Sequence, residues 1–260
     1  MSAKRKRNLF DPASTEPFPL SRSKIEFFLK CPRCFYLDRR LGVKPPGMPS
    51  MTLNRAVDSL MKAEFDGYRQ RQEPHPAFLK YGINAIPLSH PDIEVWRSNF
   101  KGVKFLNPPT NLLIGGAPDD IMIVGREWLV LDFKGTCSKD EITSLDTEYR
   151  LAYKRQVEVY SWLLAKNGHP VGRKAFLLFA NARADRPSFD ACLDFDMQLV
   201  EVVMDLSWIE PTLGQIRTCL MADQPPAASA TCECCNFVAA VNEAVNEAAR
   251  VGEPETSGLQ

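Results

Sequence analysis

Asp119, Asp132 and Lys134 carry the most chemical content in this 260-residue chain. They lie in GGAPDDIMIVGREWLVLDFKGT, residues 115–136. Gly125-Arg126 reads as a two-residue hairpin loop, with glycine at the first central position as a type II′ turn prefers. Pairing outward from that turn sets Asp119 opposite Asp132. Directly opposed residues of an antiparallel pair hold their Cβ atoms about 4.5–5.5 Å apart. Two carboxylates that close, on a strand as apolar as WLVLDF, need a shared proton or a cation between them. The strand period of two puts Asp132 and Lys134 on one face and Phe133 on the other. Mg²⁺ is a hard cation that takes oxygen ligands of this kind. A lysine beside it can hold or activate a water. This is an arrangement for metal-assisted attack on a phosphodiester. An isolated Asp-x-Lys usually just ends a strand; the opposed Asp119, behind Gly116 and Pro118, sets this one apart.

The elements that must position these residues follow from pattern. SRSKIEFFLKCPRCFYLDRRLGV reads as a helix starting near Ser21 or Ser23, disturbed at Pro32, so that Cys31 and Cys34 sit at a kink or helix end. A second helix covers MTLNRAVDSLMKAEFDGYRQ, with Leu53, Val57, Leu60, Met61, Phe65 and Tyr68 at helical spacing. Residues 72–109 are rich in proline and read as loop with short elements. Strands follow near 110–124 and 127–134, then a helix over 147–167 ended by Asn167-Gly168. RKAFLLFANA and SFDACLDFDM read as strands, with a helix near 203–221, locally disturbed at Pro211, and a short Ala-rich helix before the polar tail. The fold class is α/β: a mixed central sheet flanked by helices. Domain bounds are a flexible basic arm over 1–20, one domain over 21–240, and a short helix and tail over 241–260.

The chain is 45% hydrophobic, 25% charged and formally neutral, which excludes a protein coated all over in positive charge. Residues 1–44 nonetheless hold eleven Lys and Arg against four Asp and Glu, a surface that could face phosphate. No run reaches transmembrane length and the N-terminus lacks a secretory pattern, so the expected compartment is the cytoplasm, with no membrane partner. Eight cysteines there are not a disulfide framework. Cys31 and Cys34 form one CxxC; Cys232 and Cys235 form another, with Cys234 between. Four thiolates suit an iron–sulfur cluster or Zn²⁺ almost equally. Cys137, Cys192 and Cys219 read as buried packing residues. His75, His90 and His169 form no ligand-spaced pair.

Pro118-Asp119, twelve intervening residues and Asp132-Phe133-Lys134 together resemble the PD-(D/E)XK nuclease superfamily. Gln156 and Tyr160, at i and i+4 on one helix face, match the QxxxY of its RecB-like branch, which includes CRISPR-associated iron–sulfur exonucleases and helicase-associated nuclease domains. FFLKCPRCFYLDRRLGV and TCECCNF are similar to that branch's terminal cysteine segments, so the resemblance spans residues 21 to about 240. It implies a restriction-endonuclease-like core whose ends are clipped together by cysteines. The branch carries GxxxH on the second helix; here the segment reads NRAVD, with Asn54 and Asp58. Its iron–sulfur members use one N-terminal and three C-terminal cysteines, where this chain offers two and two.

The resemblance implies a metal-dependent DNA nuclease, expected to be an exonuclease, in repair, recombination or CRISPR-type processing. Asp58, Asp119, Asp132 and the Phe133 carbonyl would hold Mg²⁺ or Mn²⁺. Lys134 would orient or deprotonate water, with Gln156 and Tyr160 positioning it. Cys31, Cys34, Cys232 and Cys235 would hold a structural 4Fe-4S cluster, with Zn²⁺ the alternative. DNA is the implied partner, with a helicase or CRISPR integrase beside it. The competing reading is a DNA-binding or assembly subunit that keeps the fold without the chemistry. A Zn-clipped structural protein explains the cysteines but not the hairpin.

Overall fold

The computed structural model describes residues 4–47 and 51–251; the tail GEPETSGLQ lies outside them. In chain order the elements are β1 (Phe18–Ser21), α1 (Arg22–Lys30), α2 (Pro32–Arg39), α3 (Thr52–Arg71), α4 (Pro76–Leu79), β2 (Ile86–Pro87), α5 (Ile93–Trp96), β3 (Val103–Asn107) and β4 (Leu112–Gly116). Then come β5 (Asp120–Val124), β6 (Glu127–Thr136), α6 (Glu148–Lys166), β7 (Lys174–Ala182), β8 (Phe195–Val203), α7 (Ile209–Met221) and α8 (Glu233–Val251). The fold is mixed α/β, with helices flanking two mixed sheets. One has order β1-β4-β3; the other has order β2-β5-β6-β7-β8. Two compact units emerge: Thr15–Glu26 with Met48–Gly214, and Met1–Ser14 with Phe27–Gly47 and Gln215–Gln260.

Both sheets belong to the first unit. The hairpin has the expected register, with Val124 opposite Glu127 and Asp120 opposite Leu131. Gly125 has φ +62° and Arg126 does not share a positive φ, the II′ pattern. The apolar run 110–124 is not one strand. Pro118 has no N–H to give a ladder, and the chain leaves β4 at Gly116 to enter the other sheet at Asp120. β6 then runs antiparallel to β5 and parallel to β7, with α6 as the crossover. Phe65, Phe78, Met122, Leu131, Phe133 and Phe176 form the centre of the core on this sheet. α6 begins at Thr147, whose side chain accepts from the Arg150 N–H at 3.3 Å, and ends where Gly168 adopts φ +84°.

Four expectations shift. Leu53 and Leu60 of α3 are exposed, and only Met61 and Phe65 of that stripe are fully buried. SFDACLDFDM turns at Asp190 and Ala191, both at positive φ, so the strand starts only at Phe195. Cys137 and Cys192 are exposed rather than core residues. Pro211 does not disturb α7, because it lies in the first turn, where an N–H has no helical partner.

In the second unit, residues 4–14 are not a free arm. The Arg5 N–H donates to Gly42 O at 3.0 Å, the Phe10 N–H donates to Arg39 O at 2.8 Å, and Phe10 is buried. In the first unit, residues 18–21 are held by β1 pairing in parallel with β4.

Asp120 and Asp119 are neighbours with different duties. Asp120 is fully buried and takes both oxygens to Arg69 Nη2, at 2.7 and 2.8 Å. Burial raises its pKa, against the pull of Arg69 and Arg97. Asp120→Ala takes the buried partner from Arg69, which keeps Asp66 at 3.2 Å and the Leu88 carbonyl at 2.6 Å. It is expected to cost ~1–3 kcal/mol of folding stability, read as the shift in a urea unfolding midpoint.

Candidate active site and four-cysteine centre

β6 delivers two polar side chains through an apolar strand. Asp132 is buried to 1% exposure, and Lys134 follows on the same face. Lys134 Nζ donates to Asp132 Oδ2 and, at 3.2 Å, to Gln156 Oε1. The Gln156 amide nitrogen donates to Asp132 Oδ1 at 2.8 Å and lies 3.1 Å from the Tyr160 hydroxyl. Gln156 therefore bridges the acid and the ammonium, and Tyr160 fixes Gln156 from one turn further along α6. Tyr160 can come this close because residue 116 has no side chain: a Cβ there would stand 2.6 Å from the Tyr160 ring. Phe133 points to the opposite face, its ring 5.0 Å from that of Phe65. Burial pushes the Asp132 carboxyl up to about 6, with Lys134 opposing and Asp119 adding to the rise.

Asp119 is brought alongside, but not as a cross-strand partner. The ladder stops at Asp120, and the Asp119 carboxylate accepts the Phe133 N–H at 2.9 Å. Its other oxygen is 2.8 Å from Lys62 Nζ, and Lys62 also reaches Asp58 Oδ2 at 3.1 Å. Burial alone would lower the Lys62 pKa; the Asp119 and Asp58 carboxylates raise it. Three carboxylates thus face two ammonium groups. Lys62 escaped the sequence reading, although it stands four residues after Asp58, the spacing at which helix side chains meet. Asn54, at the other end of NRAVD, donates to Gly135 O at 3.3 Å and lies against β6.

The donor set is right in kind for a hard divalent ion: carboxylates on α3, before β5 and on β6. Its geometry is that of charge already compensated, since Lys62 lies between Asp58 and Asp119. An ion there requires Lys62 to move aside. Among the described residues, the one group of His, Cys, Asp or Glu with ligand atoms all within 4.8 Å is Cys31, Cys34, Cys232 and Cys235.

That group follows from a helix break. Pro32 at the first position of α2 forces the residue before it into extended backbone, and Cys31 has φ −159°, ψ 104°. Cys34 sits one turn into α2, and both thiols are buried. Cys232 immediately precedes α8 and Cys235 lies in its first turn. Sγ separations are 3.8 Å for Cys31–Cys235, 3.6 Å for Cys34–Cys232 and 3.4 Å for Cys34–Cys235. Burial would push the Cys31 thiol up, but hydrogen bonds from Ser229, Cys34 and Cys232 bring it down to about 6. Cys34 is raised by burial and its thiol neighbours, and Cys235 is raised to about 11, first by burial. These four are positioned to bind a metal ion and join the N- and C-terminal parts of their unit. Cys234 is exposed.

Among the described residues no helix is long and apolar enough to cross a membrane. No protein-family model matches the chain, and no curated protein matches it.

Proposed function

We propose that this protein is a divalent-metal-dependent nuclease acting on DNA, with a core of the PD-(D/E)XK type. The observation that carries the reading is Lys134, at the end of a buried strand, held between Asp132 and Gln156 with Asp119 alongside. Asp58, Asp119, Asp132 and the Phe133 carbonyl would hold Mg²⁺ or Mn²⁺, which when bound would acidify water and neutralise charge on the phosphate. Lys134 presents its ammonium to the attacking water and to the developing negative charge. Gln156 fixes the direction of that ammonium by accepting from it while donating to Asp132. Tyr160 in turn fixes Gln156. The test is cleavage of end-labelled single- and double-stranded DNA in Mg²⁺ or Mn²⁺. A folded wild type that cuts neither overturns the reading.

One observation favours the second reading, an inactive DNA-binding or assembly subunit: Lys62 already neutralises Asp58 and Asp119. The two readings separate at that lysine. If the carboxylates serve a metal, Lys62→Ala removes a competing cation and Mn²⁺ binds at least ~10-fold more tightly, read by calorimetry. If they serve only Lys62, the variant loses stability and gains no Mn²⁺ affinity.

For the cysteines we propose one structural zinc ion. Four sulfurs about 2.3 Å from a single tetrahedral ion stand roughly 3.8 Å apart, close to the 3.4, 3.6 and 3.8 Å separations. A 4Fe-4S cluster divides its thiolates among four irons and spreads them further. Elemental analysis, with the presence or absence of iron–sulfur visible absorption, decides.

A further inference from the structure

The face of α6 that carries Gln156 and Tyr160 does not stop at the candidate active site. Tyr153 and Tyr149 precede Gln156 by three and seven residues, which places all four on one stripe. The Tyr153 ring centre is 4.6 Å from Lys134 Nζ. Tyr149 packs against Tyr153 with centroids 5.0 Å apart and planes at 70°. Tyr149 is 70% exposed, so most of its ring area faces solvent instead of the core. An aromatic path therefore leads from the reactive lysine outward along the helix.

The two rings form one wall of a cleft of about 380 Å³. Lys134 and Gly135 contribute its β6 side, and Asn54, Arg55 and Asp58 of α3 line it too. This volume lies in the ~300–1,000 Å³ range of small-ligand sites. The chemistry is paired: flat, electron-rich rings on α6 and an exposed guanidinium on α3. A nucleotide has the matching parts. Its base stacks on tyrosine, and its phosphate meets Arg55 and Lys134. A base inside a duplex is covered on both faces by its neighbours and cannot make the stack.

We propose that the Tyr149–Tyr153 cleft is a subsite for an unpaired nucleobase of the strand whose phosphate lies at Lys134, which makes single-stranded DNA the substrate class. This rests on the nuclease reading and goes further, because it names the strandedness and the residue that selects it. Tyr149 is a binding residue, not a catalytic one.

The experiment measures binding by fluorescence anisotropy, with the full chain in Ca²⁺ and a gel check that the DNA stays intact. The probes are a 12-nucleotide single strand, its duplex, and a series of the same strand carrying one abasic position each. The wild type is expected to prefer the single strand. Tyr149→Ala should weaken that binding about 5- to 100-fold, the range for loss of one stacked base, and Tyr149→Phe should leave it near wild type. One abasic position should cost the wild type as much as the variant does, and should cost Tyr149→Ala nothing more. Unchanged affinity in Tyr149→Ala, or abasic and variant losses that simply add, overturns the subsite and leaves the nuclease reading standing. Tighter binding of the duplex overturns the single-strand assignment. Binding of no DNA by the wild type overturns the subsite and the nuclease reading together.

Discussion

Asp132→Ala and Lys134→Ala are each expected to lower metal-dependent DNA cleavage by ~10³-fold or more. In the proposed reaction Asp132 would hold the metal and Lys134 would face the phosphate, and neither is a packing contact. Their effects on folding differ, and that difference is a second readout. Without Asp132, Lys134 still has Gln156 Oε1 at 3.2 Å and some access to solvent, so stability changes little. Without Lys134, Asp132 is a fully buried acid with its ammonium gone, and about 1–3 kcal/mol is lost unless it takes up a proton. The pH dependence follows the same carboxyl. Its folded pKa, about 6, lies above the ordinary aspartate value of 3.8. Protons are therefore held more tightly by the folded state. The stability this contributes is full below pH 3.8 and is lost as pH rises through 6. Over that window the metal-free wild type should lose up to roughly 3 kcal/mol that Asp132→Asn does not lose. Parallel urea titrations at several pH values check it. Cleavage that survives in either alanine variant would end the assignment of this cluster as the active site.

Cys34→Ser, or removal of metal by a strong chelator, is expected to unfold the unit built from residues 1–14, 27–47 and 215–260. Its buried apolar residues among those described are few beyond the cysteines: Phe10, Phe28, Phe35, Tyr36, Ile216 and Leu220. A core that small needs a staple. Structural zinc binding is worth ~10–16 kcal/mol, as large as the stability of a whole domain. Cys34 is the strictest test position, since it is buried and lies within 3.6 Å of both C-terminal thiols. Limited proteolysis should cut the variant around residues 27–47 and 215–251 while the two pieces that carry the sheets, Thr15–Glu26 and Met48–Gly214, persist. One equivalent of metal should leave with the transition. A chelated protein with an unchanged melting profile would remove the cysteines from any structural role.

What could be read from residue order was what period and turn chemistry dictate. Gly125-Arg126 set the β5–β6 register; Pro32 set the helix break at Cys31; Thr147 and Gly168 set the ends of α6. The misses arose where distant segments compete. Asp119 leaves the ladder because Pro118 ends the pairing one residue early, and the freed carboxylate finds the Phe133 N–H. The 4–20 segment looks like a tail because its basic, Pro- and Ser-rich composition masks its ties, which are backbone hydrogen bonds, the buried Phe10 ring and the Arg5–Asp38 ion pair. Lys62 and the two tyrosines lay on helix faces already recognised, at four residues from Asp58 and at three and seven from Gln156. Extending those stripes by one turn, and by two for Tyr149, would have found them.

The clip also has a consequence in time. Its two halves are separated in sequence by about two hundred residues, with Met48–Gly214 between them. During synthesis, at roughly 5–20 residues per second, Cys31 and Cys34 emerge some 10–40 seconds before Cys235. The sheet-bearing unit can fold in that interval, as an insertion completed inside an unfinished host. Closing of the four-cysteine site is then the last step of maturation. A chain released before residue 235 would carry a finished set of sheets and a cysteine pair exposed to oxidation.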